Sequence, residues 1–137
     1  MKKKYQLALE AMNNAYAIYS DFRVGACLVL KNGEYIIGAN VENASYGLCN
    51  CAERSALFAA YSQGFRKDDI VELVVATDNI NPASPCGACR QVIAELMNQD
   101  ALVTMINPKL SNTLTLKVSD LLPYQFTGDN LNAKNKL

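Results

Sequence analysis

Val24-Gly25-Ala26-Cys27-Leu28-Val29-Leu30 runs into Lys31-Asn32-Gly33-Glu34 and then into Tyr35-Ile36-Ile37-Gly38-Ala39-Asn40-Val41. The first segment is almost continuously apolar, as a strand covered on both faces must be. Asn-Gly between two apolar runs is the strongest short-range hairpin signal, because such turns need positive φ. The stretch therefore predicts two antiparallel strands, Val24–Leu30 and 35–41, joined by a tight turn.

The flanking segments supply helices and further strands. Leu7, Leu9, Ala11, Met12, Ala15, Tyr16 and Ile18 form a helical apolar stripe before the hairpin. Residues 50–61 are strong helix material with Gly64 as the stop. Ile70–Thr77 reads as a third strand. A second long helix is expected over 85–98, with Pro85 in its first turn, where proline is tolerated. Leu102–Ile106 is a fourth strand and 114–118 a weaker fifth. Ser119-Asp120-Leu121-Leu122 forms a short helix that Pro123 ends. The order implies one mixed sheet with helices on its faces. It is a single domain spanning 1–137, with a loosely packed tail from about 128.

At 137 residues, half of them hydrophobic, the chain buries a genuine core. Thirteen basic and thirteen acidic side chains cancel. No basic excess is present to neutralise a nucleic-acid backbone, so a small neutral ligand fits better than a polymer. Met1-Lys2-Lys3-Lys4 precedes an amphipathic helix rather than a secretory apolar core, and no segment approaches the roughly 20 apolar residues of a membrane span. The expected location is the cytoplasm, with neither nucleic acid nor membrane as partner.

Five cysteines and no histidine restrict the chemistry further. A Ser-His or Cys-His dyad is impossible, and a transition-metal site must use thiolates or carboxylates. Cys51-Ala52-Glu53 and Pro85-Cys86-Gly87-Ala88-Cys89 both fall at predicted helix starts, where the helix dipole favours thiolate. Cys86 and Cys89, three apart, can share an ion, and zinc suits an all-thiolate set. Three thiols leave one position for water, and Glu53 is placed to move its protons. The competing arrangement is a closed structural site that adds Cys49 to Cys51, Cys86 and Cys89. Glu53 also has a competing role, a capping box with Asn50. Three thiolates on a divalent ion leave about one negative charge. Arg54 is placed to offset it by hydrogen-bonding to sulfur, with Arg90 a second candidate, although either reads equally as a surface arginine. Cys27 reads as a small buried apolar residue.

These motifs resemble the small, homotetrameric cytidine deaminases. The similarity includes Tyr19-Ser20-Asp21-Phe22, Val24-Gly25-Ala26, Asn40-Val41-Glu42-Asn43-Ala44, Cys51-Ala52-Glu53-Arg54, the segment from Ser84 to Gln91 and Leu121-Leu122-Pro123. The resemblance implies a three-layer α/β/α sandwich around a mixed five-stranded sheet. It implies one zinc per subunit on Cys51, Cys86 and Cys89. It also implies hydrolytic deamination of cytidine and 2′-deoxycytidine in pyrimidine salvage, with Glu53 as proton shuttle. It assigns Asn40 and Glu42 to the ribose 3′-hydroxyl. The same resemblance implies that Asn43, Ala44, Ser45 and Tyr46 line the site from one subunit or its neighbour. Ala52 belongs to the substrate site, and Phe22 and Phe126 flank the base, the latter across an interface. Read without the family, both phenylalanines are ordinary core, and Asn40 and Glu42 are a polar strand exit. A carboxylate at Glu42 with no basic cluster nearby disfavours phosphorylated ligands. A deaminase of a modified cytosine nucleoside and an inactive zinc module are the alternative readings.

Overall fold

A computed structural model describes residues 1–132, 134 and 137. Its elements are α1 (Lys3–Asn13), β1 (Val24–Leu30), β2 (Tyr35–Ala39), α2 (Ala52–Ser62), β3 (Ile70–Thr77), α3 (Gly87–Leu96), β4 (Leu102–Ile106), β5 (Leu114–Lys117) and α4 (Val118–Leu121). The sheet order is β2-β1-β3-β4-β5. β3 and β4 run parallel, joined through α3, and the other pairs are antiparallel. The mixed five-stranded sheet expected from the sequence is thus present, with α1 on one face and α2 and α3 on the other.

Alternation along each strand separates two cores. Val24, Ala26, Leu28 and Leu30 of β1, Leu73 and Val75 of β3, and Val103 and Met105 of β4 pack against Ala52, Ala56, Leu57, Ala60, Cys89 and Ile93 of the paired helices. Cys27, Val74, Ala76 and Ile106 face Ala8 and Met12 of α1 instead. Burial pushes the Cys27 thiol up to about 12, which fits the small apolar role expected of it. On that same α1 face, buried Glu72 is held by Lys4 at 2.6 Å and by the Thr104 hydroxyl at 2.6 Å.

The hairpin forms as its Asn-Gly pair requires. Gly33 has φ +90°, and the Asn32 side-chain oxygen accepts from Glu34 N at 2.9 Å. Val29 pairs with Tyr35, and the ladder continues to Gly25 and Ala39. Gly38 has a different reason. A Cβ there would lie 2.5 Å from Ala56 N and 2.7 Å from Ala52 O, so β2 touches the first turn of α2 backbone to backbone.

Five element ends differ from expectation, and the cause is mostly long-range pairing. α1 stops at Asn13, because Tyr16 leaves the helix to bridge Val41, with Tyr16 N donating to Asn40 O at 2.9 Å and Glu42 N to Tyr16 O at 2.8 Å. β2 ends at Ala39, and Val41 pairs singly with Tyr16 and Asn50. That second bridge draws Asn50 away from the helix, so Cys51 occupies the N-cap position of α2 and no capping box with Glu53 forms. Asn50 Nδ2 instead donates to Ser55 Oγ at 3.1 Å. α3 likewise starts at Gly87 behind Cys86 and ends at Leu96, leaving Pro85 outside it. The tail contains an exposed 3₁₀ turn, Gly128–Leu131. Positions 133, 135 and 136 of that tail lie outside the described residues.

Candidate active site and metal centre

The two helix starts that carry the cysteine motif meet at one end of the sheet. β3 and β4 are its parallel pair, and ligands in α/β sheets gather outside the carboxyl ends of such strands. Cys51, Cys86 and Cys89 present sulfurs all within 4.8 Å of one another, and they are the cluster of metal-ligating side chains found among the described residues. Cys51 Sγ lies 3.8 Å from Cys86 Sγ. A tetrahedral zinc with bonds of about 2.3 Å needs sulfurs about 3.8 Å apart, so donor type and spacing both fit the ion. Cys49 stands outside this group. Its sulfur accepts from Asn43 N at 3.3 Å and lies 3.7 Å from Asn43 O, which argues against the closed four-thiol arrangement.

The electrostatics favour thiolate at Cys51. Hydrogen bonding from the Cys89 thiol, and then from Arg54 and Cys86, outweighs burial and brings Cys51 down to about 5. Cys89 moves the opposite way because its proton is shared with Cys51 and it is buried. Arg54 Nη2 donates to Cys51 Sγ at 3.3 Å, the contact expected of it. Its Nε is buried without a partner among the described residues. Arg90 does something else. It donates to Pro85 O at 2.9 Å, to Leu121 O at 2.6 Å and to the Ser84 hydroxyl, tying the Cys86 loop to α4 rather than touching sulfur.

Glu53 is 4% exposed. Burial pushes its carboxyl above the usual range and the charge of Cys51 adds to the rise, while its own backbone N–H pulls the other way. A carboxyl shifted upward holds a proton more readily than an ordinary one, as a group that must both take and give protons requires. Beside it opens a cleft of about 240 Å³, whose lining includes Phe22, Asn40, Glu42, Cys51, Glu53 and Cys86. Neither Lys nor Arg lines it.

The other expected contacts divide by position. Asn40 is buried. Its Oδ1 accepts from Val24 N at 2.8 Å and its Nδ2 donates to Phe22 O at 2.8 Å, so it also fixes the entry to β1. Glu42 accepts from Tyr19 N at 3.0 Å, Ser20 N at 3.1 Å and the Ser20 hydroxyl. The Ser20 hydroxyl bond, followed by the two backbone bonds, holds its carboxyl below the ordinary value of 4.5. Ser20 Oγ accepts in turn from Phe22 N at 3.0 Å, linking the carboxylate to the aromatic. Ala52 is fully buried behind the cleft. Asn43, Ala44 and Ser45 are exposed on the loop beyond it, and Tyr46 lines a neighbouring hollow with Tyr19, Ser20, Glu42 and Cys49. Phe126 lies apart, beside Ala94, Glu95 and Gln99, and is 58% exposed.

Val24, Cys49, Asn50, Val75, Thr77, Ala83 and Ser84 complete the lining, and the sequence placed none of them in a substrate site. Thr77 left one readable signal, a polar residue continuing the row of β3 that carries Leu73 and Val75. Cys49 and Asn50 are brought there by the long-range pairing of Val41 with Asn50.

Comparison with known proteins agrees with this geometry. Residues 1–105 match the model of the cytidine and deoxycytidylate deaminase zinc-binding region. A cytidine deaminase of Halalkalibacterium halodurans is 51% identical over 125 residues, covering 91% of this chain and 92% of that one. One from Sporosarcina psychrophila is 43% identical over 122 residues, 89% of this chain and 88% of the other. The crystal structure of cytidine deaminase from Burkholderia pseudomallei superposes with a TM-score of 0.87 at 44% identity, covering 92% of this chain and all of that one.

Proposed function

The chain belongs to the cytidine and deoxycytidylate deaminase family, and from that premise we propose that it hydrolyses cytidine and 2′-deoxycytidine to the uracil nucleosides and ammonia. The observation that carries this reading is the three-sulfur cluster with a buried carboxylate beside it on the wall of a cleft without basic side chains. Cys51, Cys86 and Cys89 would hold a zinc ion, which when bound supplies an activated water for attack at C4 of cytosine. Glu53 would take one proton from the attacking water and deliver it to ring N3, then take the second from the new C4 hydroxyl and pass it to the amino group, which leaves as ammonia while the C4 carbonyl forms. Its burial supports this alternation, because a carboxyl that stayed fully ionised would be a poor acid. Arg54 compensates the excess negative charge by donating to Cys51 Sγ.

Phe22 packs against the base, and Glu42, pinned in its ionised form by Ser20, receives the ribose 3′-hydroxyl together with Asn40. Two carboxylates and no cation in the lining favour free nucleosides over nucleotides. The exposed positions of Ala44, Ser45, Tyr46 and Phe126 support a homotetramer in which neighbouring subunits complete one another's sites. A cytoplasmic place in pyrimidine salvage is part of the same reading.

The test is ultraviolet detection of uridine formation by the zinc-loaded protein. Glu53→Gln is expected to keep zinc and fold while losing about 10²–10⁴-fold in kcat. A folded, zinc-loaded wild type that leaves cytidine unchanged overturns the assignment in favour of a modified cytosine nucleoside or a structural zinc module.

A further inference from the structure

Thr77 ends β3 at the cleft. Register and alternation fix its direction. Leu73 and Val75 belong to the core beneath α2 and α3, and Thr77 continues that row, opposite Val24 of β1. It is 2% exposed, and its Oγ1 is buried with no hydrogen-bond partner among the described residues. Leaving a buried hydroxyl unpaired is costly, and valine would fill the same β-branched outline without that cost. The chain elsewhere satisfies such a group. The buried Thr104 hydroxyl donates to Glu72 at 2.6 Å and meets Thr115 Oγ1 at 2.9 Å. The Thr77 hydroxyl is therefore unpaired at the one end of its strand that opens on the cleft, among Phe22, Val75, Glu53 and Ser84.

We propose that Thr77 Oγ1 is a substrate-binding group that hydrogen-bonds to the polar edge of the pyrimidine base. The proposal rests on the nucleoside deaminase reading and adds a contact to it. A pyrimidine nucleobase carries its donors and acceptors on the ring edge, and a hydroxyl both donates and accepts. One side chain thus serves the amino-bearing substrate and the carbonyl-bearing product alike. Val24, Val75 and Phe22 of the same cleft offer only apolar surface to the ring.

The experiment compares zinc-loaded wild type with Thr77→Val and Thr77→Ser in cytidine turnover, in calorimetric titration with uridine, and in thermal unfolding without ligand. Thr77→Val is expected to raise both the cytidine KM and the uridine Kd about 2–10-fold. Its kcat should stay within about twofold, the signature of a contact made equally in ground and transition states. Without ligand it melts at or above the wild-type temperature, and Thr77→Ser retains wild-type affinity. Should Thr77→Val fail to fold, Thr77→Ala makes the same comparison with serine. Unchanged KM and Kd in the variant lacking the hydroxyl overturn the proposal, as does a serine variant as impaired as it. Wild type that binds uridine but leaves cytidine intact overturns the deaminase reading, while the affinity comparison still decides the contact. Wild type that does neither overturns both.

Discussion

Gly38→Ala tests how the fold holds the reacting groups in place. The added methyl would sit 2.5 Å from Ala56 N and 2.7 Å from Ala52 O, both backbone atoms at the start of α2. Ordinary contact begins near 3.4 Å, so the helix start must retreat by about 0.9 Å. Both atoms are backbone, and no rotamer change can relieve the clash. Overpacking of this kind costs about 1–3 kcal/mol. A glycine-to-alanine change in a compatible conformation returns about 0.4–1 kcal/mol through the unfolded chain. The net loss of about 1–2 kcal/mol lowers the melting temperature by roughly 4–8 °C. The same shift carries Cys51 and Glu53 away from Cys86 and Cys89, and misplacement by about 1 Å can cost 10²-fold in rate. Thermal unfolding and kcat/KM for cytidine are measured side by side, with Gly128→Ala as control because nothing lies within 4 Å of its added Cβ. A Gly38→Ala protein that melts within about 1 °C of wild type and keeps its kcat/KM refutes the reasoning.

Two further outcomes are expected. Cys49→Ser retains zinc by elemental analysis and Cys51→Ser loses it, because the Cys49 sulfur is on the Asn43 backbone rather than in the cluster; zinc loss in Cys49→Ser would restore the four-thiol arrangement. Ser20→Ala removes the largest cause of the lowered Glu42 pKa, so the fall of kcat/KM on the acid side moves to higher pH. The sign follows from which form is favoured. A depressed carboxyl stabilises the fold above its unfolded value of 4.5 and ceases to as pH falls through the lower folded value. An acid limb that stays in place or moves down in pH contradicts the assignment of Glu42 as an ionised acceptor.

The parts of the fold legible in the sequence were those with local causes. Gly33 announces its turn through the positive φ it alone tolerates there, and Ile70–Thr77 and Leu102–Ile106 are apolar runs bounded by polar loops. The thiol motif was equally local, since its two halves open helices whose starts can be read separately. What could not be read was set at a distance. Nothing in the helical periodicity of Ala15, Tyr16 and Ile18 reveals that Tyr16 will pair with Val41. The same tie at Asn50 cancels a good capping signal and moves the start of α2 to Ala52. Arg90 met the same difficulty, because its carbonyl partner Leu121 is 31 residues away. Cys49 and Asn50 reach the lining of the cleft through the Val41 tie, and Thr77 through its pairing with Val24 across the sheet.

Those ties give the sulfur cluster a second significance. Cys51 and Cys86 are 35 residues apart in the chain, and β3 must be laid down between them before their sulfurs can meet. An ion held there is a clasp across two helices, and an unfolded chain offers it no comparable seat. Affinity for metal and resistance to unfolding then become one thermodynamic quantity measured in two ways. At free zinc about 1,000 times the dissociation constant, the clasp adds about 4 kcal/mol. A chelator therefore acts on this protein as a denaturant does. Conversely, any substitution that loosens the docking of α2 against α3 surfaces first as a weaker hold on zinc.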